Sequence, residues 1–253
     1  MTSLRFQPIG VLASPFTNKF GIPRQPRLAP AATARVQLLA PYDREEAFDG
    51  LEGFSHVWLL FVFHQDCLGA PWRPMVRPPR LGGRNKVGVF ASRAPYRPNP
   101  IGISAVVQHG LVRDAEGLAL VVSGVDLLDG TPILDIKPYV PYADQIADAS
   151  VGFAPLPAPD LGPIRFSLAA EQALAARDPR GQLHLRTLIM QVIGQDPRPG
   201  YMERYPERQR FALRLYDLDI HWRLDAAGVE VTDVLGHQAS DGRYPTLPAA
   251  DIG

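Results

Sequence analysis

Short apolar segments that alternate with polar residues dominate the first 145 residues of the chain. Such alternation, with enrichment in β-branched and aromatic residues, is typical of β-strands. We therefore predict strands at Arg5–Leu12, Arg35–Leu39, Phe54–Phe63, Lys86–Ala91, Ile101–Gln108 and Leu118–Val125. Asp43–Phe48 has a helical pattern, but it is short. Short strands in this number favour a closed or nearly closed barrel, and the crossover helices of a doubly wound sheet are not evident.

The pattern changes at residues 153–163, which are rich in proline and have neither helical nor strand periodicity. We interpret this segment as a linker between a barrel domain at 1–150 and a second domain at 164–253. The second domain is predicted to hold helices at Leu168–Arg177 and Leu183–Ile193 and a hairpin with strands Phe211–Leu224 and Val229–Leu235. The expected fold class is mainly β, a single β-barrel followed by a small α+β domain.

Composition permits a sizeable core, because the chain has 253 residues and 46% hydrophobic content. Its single cysteine, Cys67, allows no intramolecular disulfide and suits a reducing compartment. Residues 1–10 lack the pattern of a secretory signal, and no apolar run reaches about 18 residues. We expect a cytoplasmic protein.

Charge is unevenly distributed along a chain whose formal net charge is zero. No carboxylate lies between Asp66 and Asp114, whereas this interval contains Arg73, Arg77, Arg80, Arg84, Lys86, Arg93, Arg97 and Arg113. The planar guanidinium of arginine binds phosphates or carboxylates through two donors and stacks on bases. The interval indicates an anionic partner, although a solvated arginine-rich loop would have the same composition.

Several common chemistries lack their sequence signatures here. There is no GxGxxG or GxxxxGK[ST] loop, and the pair Gly82-Gly83 lies in the basic interval rather than between a strand and a helix. No GxSxG elbow is present. His56 and His64 lack a third ligand at a recognisable spacing, and Cys67 lacks an orienting group, so we predict no metal site and no thiol nucleophile.

Four segments carry a specific resemblance to a known family. They are residues 23–26 (PRQP), 50–65 (GLEGFSHVWLLFVFHQ), 76–104 (VRPPRLGGRNKVGVFASRAPYRPNPIGIS) and 125–142 (VDLLDGTPILDIKPYVPY). In this order they resemble the signature blocks of the TrmO (TsaA-like) family. Residues 195–199 (QDPRP) resemble a shorter motif of the longer bacterial members.

The resemblance implies a β-barrel that binds S-adenosylmethionine, usually as a homodimer. It also implies methylation of N6 of N6-threonylcarbamoyladenosine at position 37 of threonine tRNA. Carried over by segment, the expected cofactor-binding residues are Arg24, Gln25, Pro26, His64, Gln65, Arg93, Ile103, Asp126, Leu127, Leu128 and Asp129. Arg93 suits the methionine carboxylate, Ile103 suits the adenine ring, and carboxylates at residues 126–129 suit the rest of the ligand. Without the resemblance, an ordinary turn at Asp129-Gly130, a core strand residue at Ile103 and a phosphate contact at Arg93 would be the favoured interpretations.

Methyl transfer at a nitrogen bonded to a carbonyl carbon is helped by a group that takes the N6 proton. The carboxylates Asp129 and Asp135 and the phenol of Tyr139 lie in the matching blocks and are the catalytic candidates, although Asp135 is equally suited to an ion pair with an arginine. The expected RNA-binding residues are Arg73, Arg77, Arg80, Arg84, Lys86 and Arg97, because phosphate neutralisation supplies much of nucleic-acid affinity. Two alternatives stay open: a methyltransferase with a different acceptor, and a non-catalytic RNA-binding barrel.

Overall fold

The computed structural model describes residues 4–65, 67–69, 71–78, 85–152, 161–199, 202, 205 and 207–237. The chain forms two compact units. The first comprises Met1–Ala13, Ala34–Ser123 and Gly130–Pro155, and the second comprises Ser14–Thr33, Gly124–Asp129 and Leu156–Gly253. Ser14–Thr33 and Gly124–Asp129 lie within the first 150 residues but belong to the second unit. The units are therefore not two consecutive stretches of chain. The predicted domain bounds remain a prediction, and residues 153–160 of the predicted linker lie outside the described residues.

The first unit is built on a closed barrel of six strands in the order β1-β2-β7-β6-β3-β8. Their bounds are β1 Gly10–Ala13, β2 Thr33–Leu38, β3 His56–Val62, β6 Ile101–Asp114, β7 Gly117–Ser123 and β8 Thr131–Pro138. A short hairpin of β4 (Met75–Val76) and β5 (Val87–Gly88) lies between β3 and β6 in the chain, and α1 (Pro141–Asp144) follows β8. The prediction of a mainly-β protein is confirmed.

Alternation of apolar residues explains the barrel core. In β3 every second side chain is buried, beginning at Val57 and ending at Phe61, and β2 repeats the pattern from Ala34 to Leu38. Because side chains alternate between the two faces of a strand, these residues point into the barrel. They pack there with the buried residues Leu12, Val106, Leu118, Leu120, Val122 and Ile133.

Strand β8 is absent from the sequence prediction. Thr131–Pro138 contains two prolines and two charged residues, so its alternation is hard to recognise. A bulge also interrupts it, since Leu60 of β3 faces Asp135 while the next residue, Phe61, faces Ile133.

Four predicted elements of the first unit differ clearly from those observed. The strand predicted at Ile101–Gln108 is β6, which continues to Asp114. The strand predicted at Arg5–Leu12 is reduced to β1, which begins at Gly10. The strand predicted at Lys86–Ala91 is β5 followed by a 3-10 turn at Val89–Ala91. The helix predicted at Asp43–Phe48 is a 3-10 helix at Glu45–Phe48, because so short a segment forms few hydrogen bonds.

The second unit contains two helices and a four-stranded sheet in the order β10-β11-β12-β9. The elements are β9 Ile164–Phe166, α2 Leu168–Arg177, α3 Leu185–Ile193, β10 Arg210–Leu215, β11 Leu218–Asp225 and β12 Gly228–Gly236. Its core includes the buried residues Leu174, Leu188, Ile189, Ile193, Leu215, Ile220, Trp222 and Val231. No helix within the described ranges has both the length and the apolar character needed to cross a membrane.

The single strand predicted at Phe211–Leu224 is two strands, β10 and β11, joined at Tyr216 and Asp217. This turn was missed because Asp217 is its only turn-favouring residue and Tyr216, which has a positive φ of 52°, is not a residue type that favours that conformation. Tyr216 is buried, its amide donates to the Pro15 carbonyl at 2.7 Å, and its carbonyl accepts a bond from the Thr17 hydroxyl at 3.0 Å. Tertiary contacts therefore hold a turn that local sequence does not favour.

Candidate functional site

Two of the family-like segments meet within the second unit. The Arg27 amide, which directly follows the predicted residues Arg24, Gln25 and Pro26, donates to the Gly124 carbonyl at 2.7 Å. The Gly124 amide in turn donates to the Ala32 carbonyl at 3.0 Å. Gly124 has a φ of 74°, and a Cβ there would lie 3.3 Å from the Arg27 Cα, so this close approach requires glycine. The first segment is thus fixed beside the start of the 124–129 loop.

Ser14 holds the loop that contains the predicted residues Asp126 to Asp129. Its amide donates to Asp129 Oδ1 at 2.9 Å, and its hydroxyl donates to the Leu127 carbonyl at 2.8 Å. The Asp129 amide donates to the Phe16 carbonyl at 2.8 Å. One carboxylate oxygen of Asp129 therefore organises its own loop. The Leu127 side chain is buried, whereas Asp126 and Leu128 are half-buried.

His64 and Gln65 follow the end of β3 in the first unit. The neighbouring Phe63 amide donates to the Pro100 carbonyl at 2.8 Å, which ties this end of β3 to the residues before β6. His64 is half-buried, and its Nε2 lies 3.8 Å from the position of a Cβ on Gly130. The imidazole of His64 is therefore close to the glycine of the DLLDGTP segment, while Gln65 is exposed.

Ile103, Leu60 and Asp135 form one row across three barrel strands. Leu60 of β3 is directly opposite Ile103 of β6 and also opposite Asp135 of β8. Directly opposed residues of antiparallel strands point to the same face, and two strand spacings separate Ile103 from Asp135 by roughly 10 Å. The Ile103 side chain is 51% exposed, so the row lies on the outside of the barrel.

The row continues along the strands as an apolar surface. Ile101 is opposite Val62, and Ala105 is opposite Trp58, which in turn is opposite Lys137. We call the face formed by Val62, Leu60, Trp58, Ile101, Ile103, Ala105, Asp135 and Lys137 the outer barrel face; Ala105 is almost fully covered there. Ile103 and Asp135 were candidates from the sequence, whereas Leu60 and Trp58, which share this face, were not. The alternation within the predicted strand Phe54–Phe63 was a signal that would have found both.

Asp135 and Tyr139, two of the three catalytic candidates, lie at the edge of the outer barrel face. Asp135 Oδ2 accepts a bond from Lys137 Nζ at 2.8 Å, and Oδ1 accepts one from the Ile136 amide at 2.9 Å. The ion-pair partner of Asp135 is therefore a lysine rather than the arginine considered from sequence. The Tyr139 ring lies 5.4 Å from the Trp58 ring, and the Trp58 indole donates to Asp144 Oδ2 at 3.0 Å. The third candidate, Asp129, belongs to the second unit.

Arg93 is exposed and follows a compact turn at residues 89–92. The turn begins with a buried residue, Val89, whose amide donates to the Pro74 carbonyl at 2.9 Å. Arg97, which was predicted to bind RNA, is half-buried and donates to the backbone of this turn. The structure thus brings Arg93 and Arg97 into one loop.

Three more RNA-binding candidates, Arg73, Arg77 and Lys86, lie on or near the β4–β5 hairpin. Arg77 follows β4 and Lys86 precedes β5, and because Val76 is opposite Val87, both exposed cations lie at the same end of the hairpin. Arg73 lies over the Tyr96 ring, with Cζ 5.4 Å from its centroid. Arg80 and Arg84 lie outside the described residues. In the part of the chain that is described, no group of three or more His, Cys, Asp or Glu side chains is arranged to hold a metal ion.

The fold and these segments define a mainly-β protein with a six-stranded barrel, in which some family-like motifs lie on the outer barrel face and others in loops. Comparison with known proteins is consistent with this class. Residues 11–145 match the tRNA-methyltransferase O N-terminal domain family, and residues 159–237 match the TrmO C-terminal domain family. The chain therefore belongs to the tRNA-methyltransferase O family.

Individual relatives match along most of their length. The Escherichia coli protein named tRNA (adenine(37)-N6)-methyltransferase is 44% identical over 232 residues, which cover 91% of this chain and 97% of the relative. A Pseudomonas aeruginosa protein named as a candidate S-adenosylmethionine-dependent methyltransferase, RcsF, is 50% identical over 230 residues, 90% of this chain and 96% of the relative. A crystal structure of TrmO has a TM-score of 0.75 and 44% identity, and the match covers 93% of this chain and 100% of that structure.

Proposed function

We propose that this chain transfers a methyl group from S-adenosylmethionine to N6 of N6-threonylcarbamoyladenosine at position 37 of threonine tRNA. Membership of the family supports the reaction class, and the name of the Escherichia coli relative supports adenine 37 of a tRNA as the acceptor. The observation that carries the proposal is the row of Ile103, Leu60 and Asp135. It combines an apolar surface for a purine with a carboxylate within roughly 10 Å.

The residues present suit the three chemical parts of S-adenosylmethionine. An adenine ring fits beside a half-exposed aliphatic side chain such as Ile103, and a methionine carboxylate fits an exposed cation such as Arg93. Carboxylates and backbone carbonyls of the 126–129 loop suit the sulfonium and amino groups. The proposed cofactor-binding set is Arg24, Gln25, Pro26, His64, Gln65, Arg93, Ile103, Asp126, Leu127, Leu128 and Asp129. Leu127 would contribute through its backbone, because its side chain is buried.

When bound, S-adenosylmethionine supplies an electrophilic methyl carbon, so the protein has to orient the acceptor and manage its proton. The N6 nitrogen is bonded to a carbonyl carbon, and its lone pair is a weak nucleophile until the proton is removed or hydrogen-bonded. Asp135 is our first candidate to accept that proton, since Lys137 and the Ile136 amide hold its carboxylate on the outer barrel face. Asp129 and Tyr139 remain the other candidates. Asp129 already accepts a hydrogen bond from the Ser14 amide, and the Tyr139 ring packs beside the Trp58 ring at an angle of 49°.

We propose that cations of the β4–β5 hairpin and its neighbouring residues bind tRNA phosphates. Arg77 and Lys86 extend from the same end of the hairpin, where an anion would offset their mutual repulsion. Arg73 lies nearby in the chain, and Arg80 and Arg84 complete the proposed set from outside the described residues. Arg97 is left out of this set, because its guanidinium donates to the Val89 and Ser92 carbonyls. The splayed bases of an anticodon loop suit aromatic and guanidinium surfaces such as Tyr96 with Arg73.

We further propose that the protein acts as a homodimer in the cytoplasm. Exposed apolar side chains in the first unit, including Phe90 at 73% and Ile101 at 39%, are compatible with a second copy covering part of it. A tRNA substrate and the single cysteine are compatible with a reducing cytoplasm.

The decisive experiment is mass spectrometry of tRNA nucleosides from cells with and without this chain. We expect N6-methylated threonylcarbamoyladenosine to disappear from threonine tRNA when the chain is removed, and to return with the wild-type gene. A matched complementation with Asp135→Asn tests whether the site performs the reaction. Calorimetric titration with S-adenosylmethionine separates an enzyme from a non-catalytic RNA-binding barrel, which would show no heat of binding. An unchanged nucleoside profile after removal would reject the proposed acceptor.

A further inference from the structure

Arg97 lies in the basic segment, yet its guanidinium binds the backbone of its own loop. Nη1 donates to the Ser92 carbonyl at 2.6 Å and to the Val89 carbonyl at 3.1 Å. Its Cζ also lies 5.6 Å from the centroid of the Phe90 ring. A cation placed only to neutralise phosphates would extend into solvent, as Arg77 does. The position of Arg97 indicates a role within the protein.

The Val89 carbonyl is the centre of a small hydrogen-bond network. Besides Arg97, it accepts bonds from the Ser92 amide at 3.1 Å and from the Ser92 hydroxyl at 2.9 Å. The Ser92 hydroxyl also accepts a bond from the Ala94 amide at 3.3 Å. Residues on both sides of Arg93 are therefore fixed, and Arg97 contributes the charged donor, whose bonds are stronger than those of a neutral group.

We propose that Arg97 is a positioning residue, which fixes the 89–92 turn and so places the adjacent Arg93 for the carboxylate of S-adenosylmethionine. The inference rests on the proposed function, in which Arg93 contacts that carboxylate. Loss of Arg97 would free the Ser92 carbonyl and leave the Val89 carbonyl with the Ser92 donors alone among the described contacts. The Arg93 backbone, one bond beyond Ser92, would then sample several positions.

The test is calorimetric titration of S-adenosylmethionine into the full chain without RNA. We expect Arg97→Ala to weaken the affinity about tenfold, or about 1.4 kcal/mol, because a displaced Arg93 would lose part of its charge-assisted hydrogen bonding to the carboxylate. Arg97→Lys should recover part of the loss, since an ammonium group can donate to the Ser92 carbonyl but lacks the planar fork. Ser92→Ala, which removes the hydroxyl from the same network, should produce a smaller loss in the same direction.

Arg73→Ala is the matched control, because it removes an arginine of the same segment that stacks on Tyr96. It should weaken tRNA binding and leave the affinity for S-adenosylmethionine within about twofold. Hydrogen exchange supplies a local readout: in Arg97→Ala the amides of Ser92 and Ala94 should exchange faster, while those of β3 and β6 keep their protection. In steady-state assays the substitution should raise KM for S-adenosylmethionine and leave kcat nearly unchanged.

Three results would overturn the inference. The first is unchanged cofactor affinity in Arg97→Ala together with weakened tRNA binding, which would return Arg97 to the phosphate contacts. The second is loss of protection throughout β3 and β6, which would show a general structural role. The third is that Arg97→Lys recovers none of the lost affinity for S-adenosylmethionine and that Ser92→Ala leaves this affinity unchanged. Failure of the proposed function is distinguishable, because wild-type chain would then not bind S-adenosylmethionine, or Arg93→Ala would leave its affinity unchanged.

Discussion

Gly102 lies directly opposite Phe61 in the β3–β6 pair, with its Cα against the aromatic ring inside the barrel. A Cβ on Gly102 would overlap the Phe61 ring, and the ring is almost fully buried, so it has little room to move. The glycine of the RPNPIGIS segment is thus required by packing. Ile101 and Ile103 flank Gly102 in β6. The contact between Gly102 and Phe61 therefore also determines how far this part of β6 stands out on the outer barrel face.

Gly102→Ala should destabilise the protein by about 1–3 kcal/mol, since an added methyl group in a packed core forces side chains or backbone to shift. The measurement is the free energy of unfolding from urea denaturation. Gly53→Ala is the control, because a Cβ there would meet no atom within 4 Å. Equal stability of the two variants would contradict the packing argument.

Asp219 joins Arg214 and His237 on the sheet of the second unit, with bonds of 2.8 Å to each. Burial alone would raise the pKa of Asp219, but the hydrogen bonds and charges of Arg214 and His237 outweigh it and lower the pKa. A carboxyl group whose pKa is lowered by folding stabilises the folded protein at pH values above the pKa that the group has in the unfolded chain, about 3.9. That contribution is lost as the pH falls below about 4 through the folded pKa.

Asp219→Asn should therefore reduce the free energy of unfolding by about 1 kcal/mol at pH 7 and by less below about pH 4. Urea denaturation between about pH 3 and pH 7 measures the difference from wild type. Asp148→Asn, at an exposed position, serves as the control and should show no such pH dependence. A difference between Asp219→Asn and wild type that stays constant across the range would show that these contacts do not act through charge.

Much of the fold could be predicted because local sequence and tertiary structure agree. The helix predicted at Leu168–Arg177 is observed with those bounds, since the Ser167 hydroxyl accepts the Ala170 amide at its start and Pro179 follows its end. Strand β3 was likewise found from its alternation. Strand β8 and the Tyr216 turn were missed, because a bulge and tertiary contacts determine them rather than local preference.

The sequence proposes a set of candidate site residues but does not give their arrangement. Ile103 and Asp135 lie in one row because of the register of β3 with β6 and with β8. That register could not be predicted, because β8 itself was not predicted. The role of Ser14 in holding Asp129 links residues far apart in the chain, so no local motif indicates it. The inward turn of Arg97 depends on backbone carbonyls, whose positions follow from the folded loop.

Asp135→Asn should lower kcat by about a hundredfold and leave KM for S-adenosylmethionine nearly unchanged, because the amide cannot accept the N6 proton. Single-turnover methyl transfer measures this step apart from product release. Lys137→Ala, which removes the ion-pair partner of Asp135 at 2.8 Å, should have a smaller effect. Full activity of Asp135→Asn would leave Asp129 and Tyr139 as the candidates, to be tested as Asp129→Asn and Tyr139→Phe.

Cations at the end of the β4–β5 hairpin should determine the salt dependence of tRNA binding. Replacing both Arg77 and Lys86 with alanine should reduce the slope of log affinity against log salt by about 1.4–1.8, the equivalent of two phosphate contacts. Filter binding at several salt concentrations measures the slope. The control is Arg44→Ala with Arg113→Ala, which changes the net charge equally but removes exposed arginines paired with Glu46 and Glu45. Equal slopes for both double variants would indicate that the tRNA-binding surface does not include this end of the hairpin.

The acceptor should be threonylcarbamoylated adenosine and not plain adenosine. The attached group makes N6 part of an amide-like system whose proton a carboxylate such as Asp135 can accept. It also adds a carboxylate that an arginine can bind through two donors. Arg84 and Arg97 flank the family-like segment from Lys86 to Arg93 and are candidates for this contact. Arg84 lies outside the described residues, and Arg97 Nη1 already donates to the Ser92 and Val89 carbonyls.

The assay is methyl transfer from labelled S-adenosylmethionine to threonine tRNA prepared with and without the threonylcarbamoyl group. We expect label on the modified tRNA and background on the unmodified one, because plain adenosine offers neither the acidic N6 proton nor the added carboxylate. Arg84→Ala with modified tRNA then tests recognition of that carboxylate, and a raised KM for tRNA with an unchanged affinity for S-adenosylmethionine is the expected result. Equal transfer to both tRNAs would exclude the modification as a requirement while retaining tRNA as the substrate, and transfer to neither would favour a different acceptor.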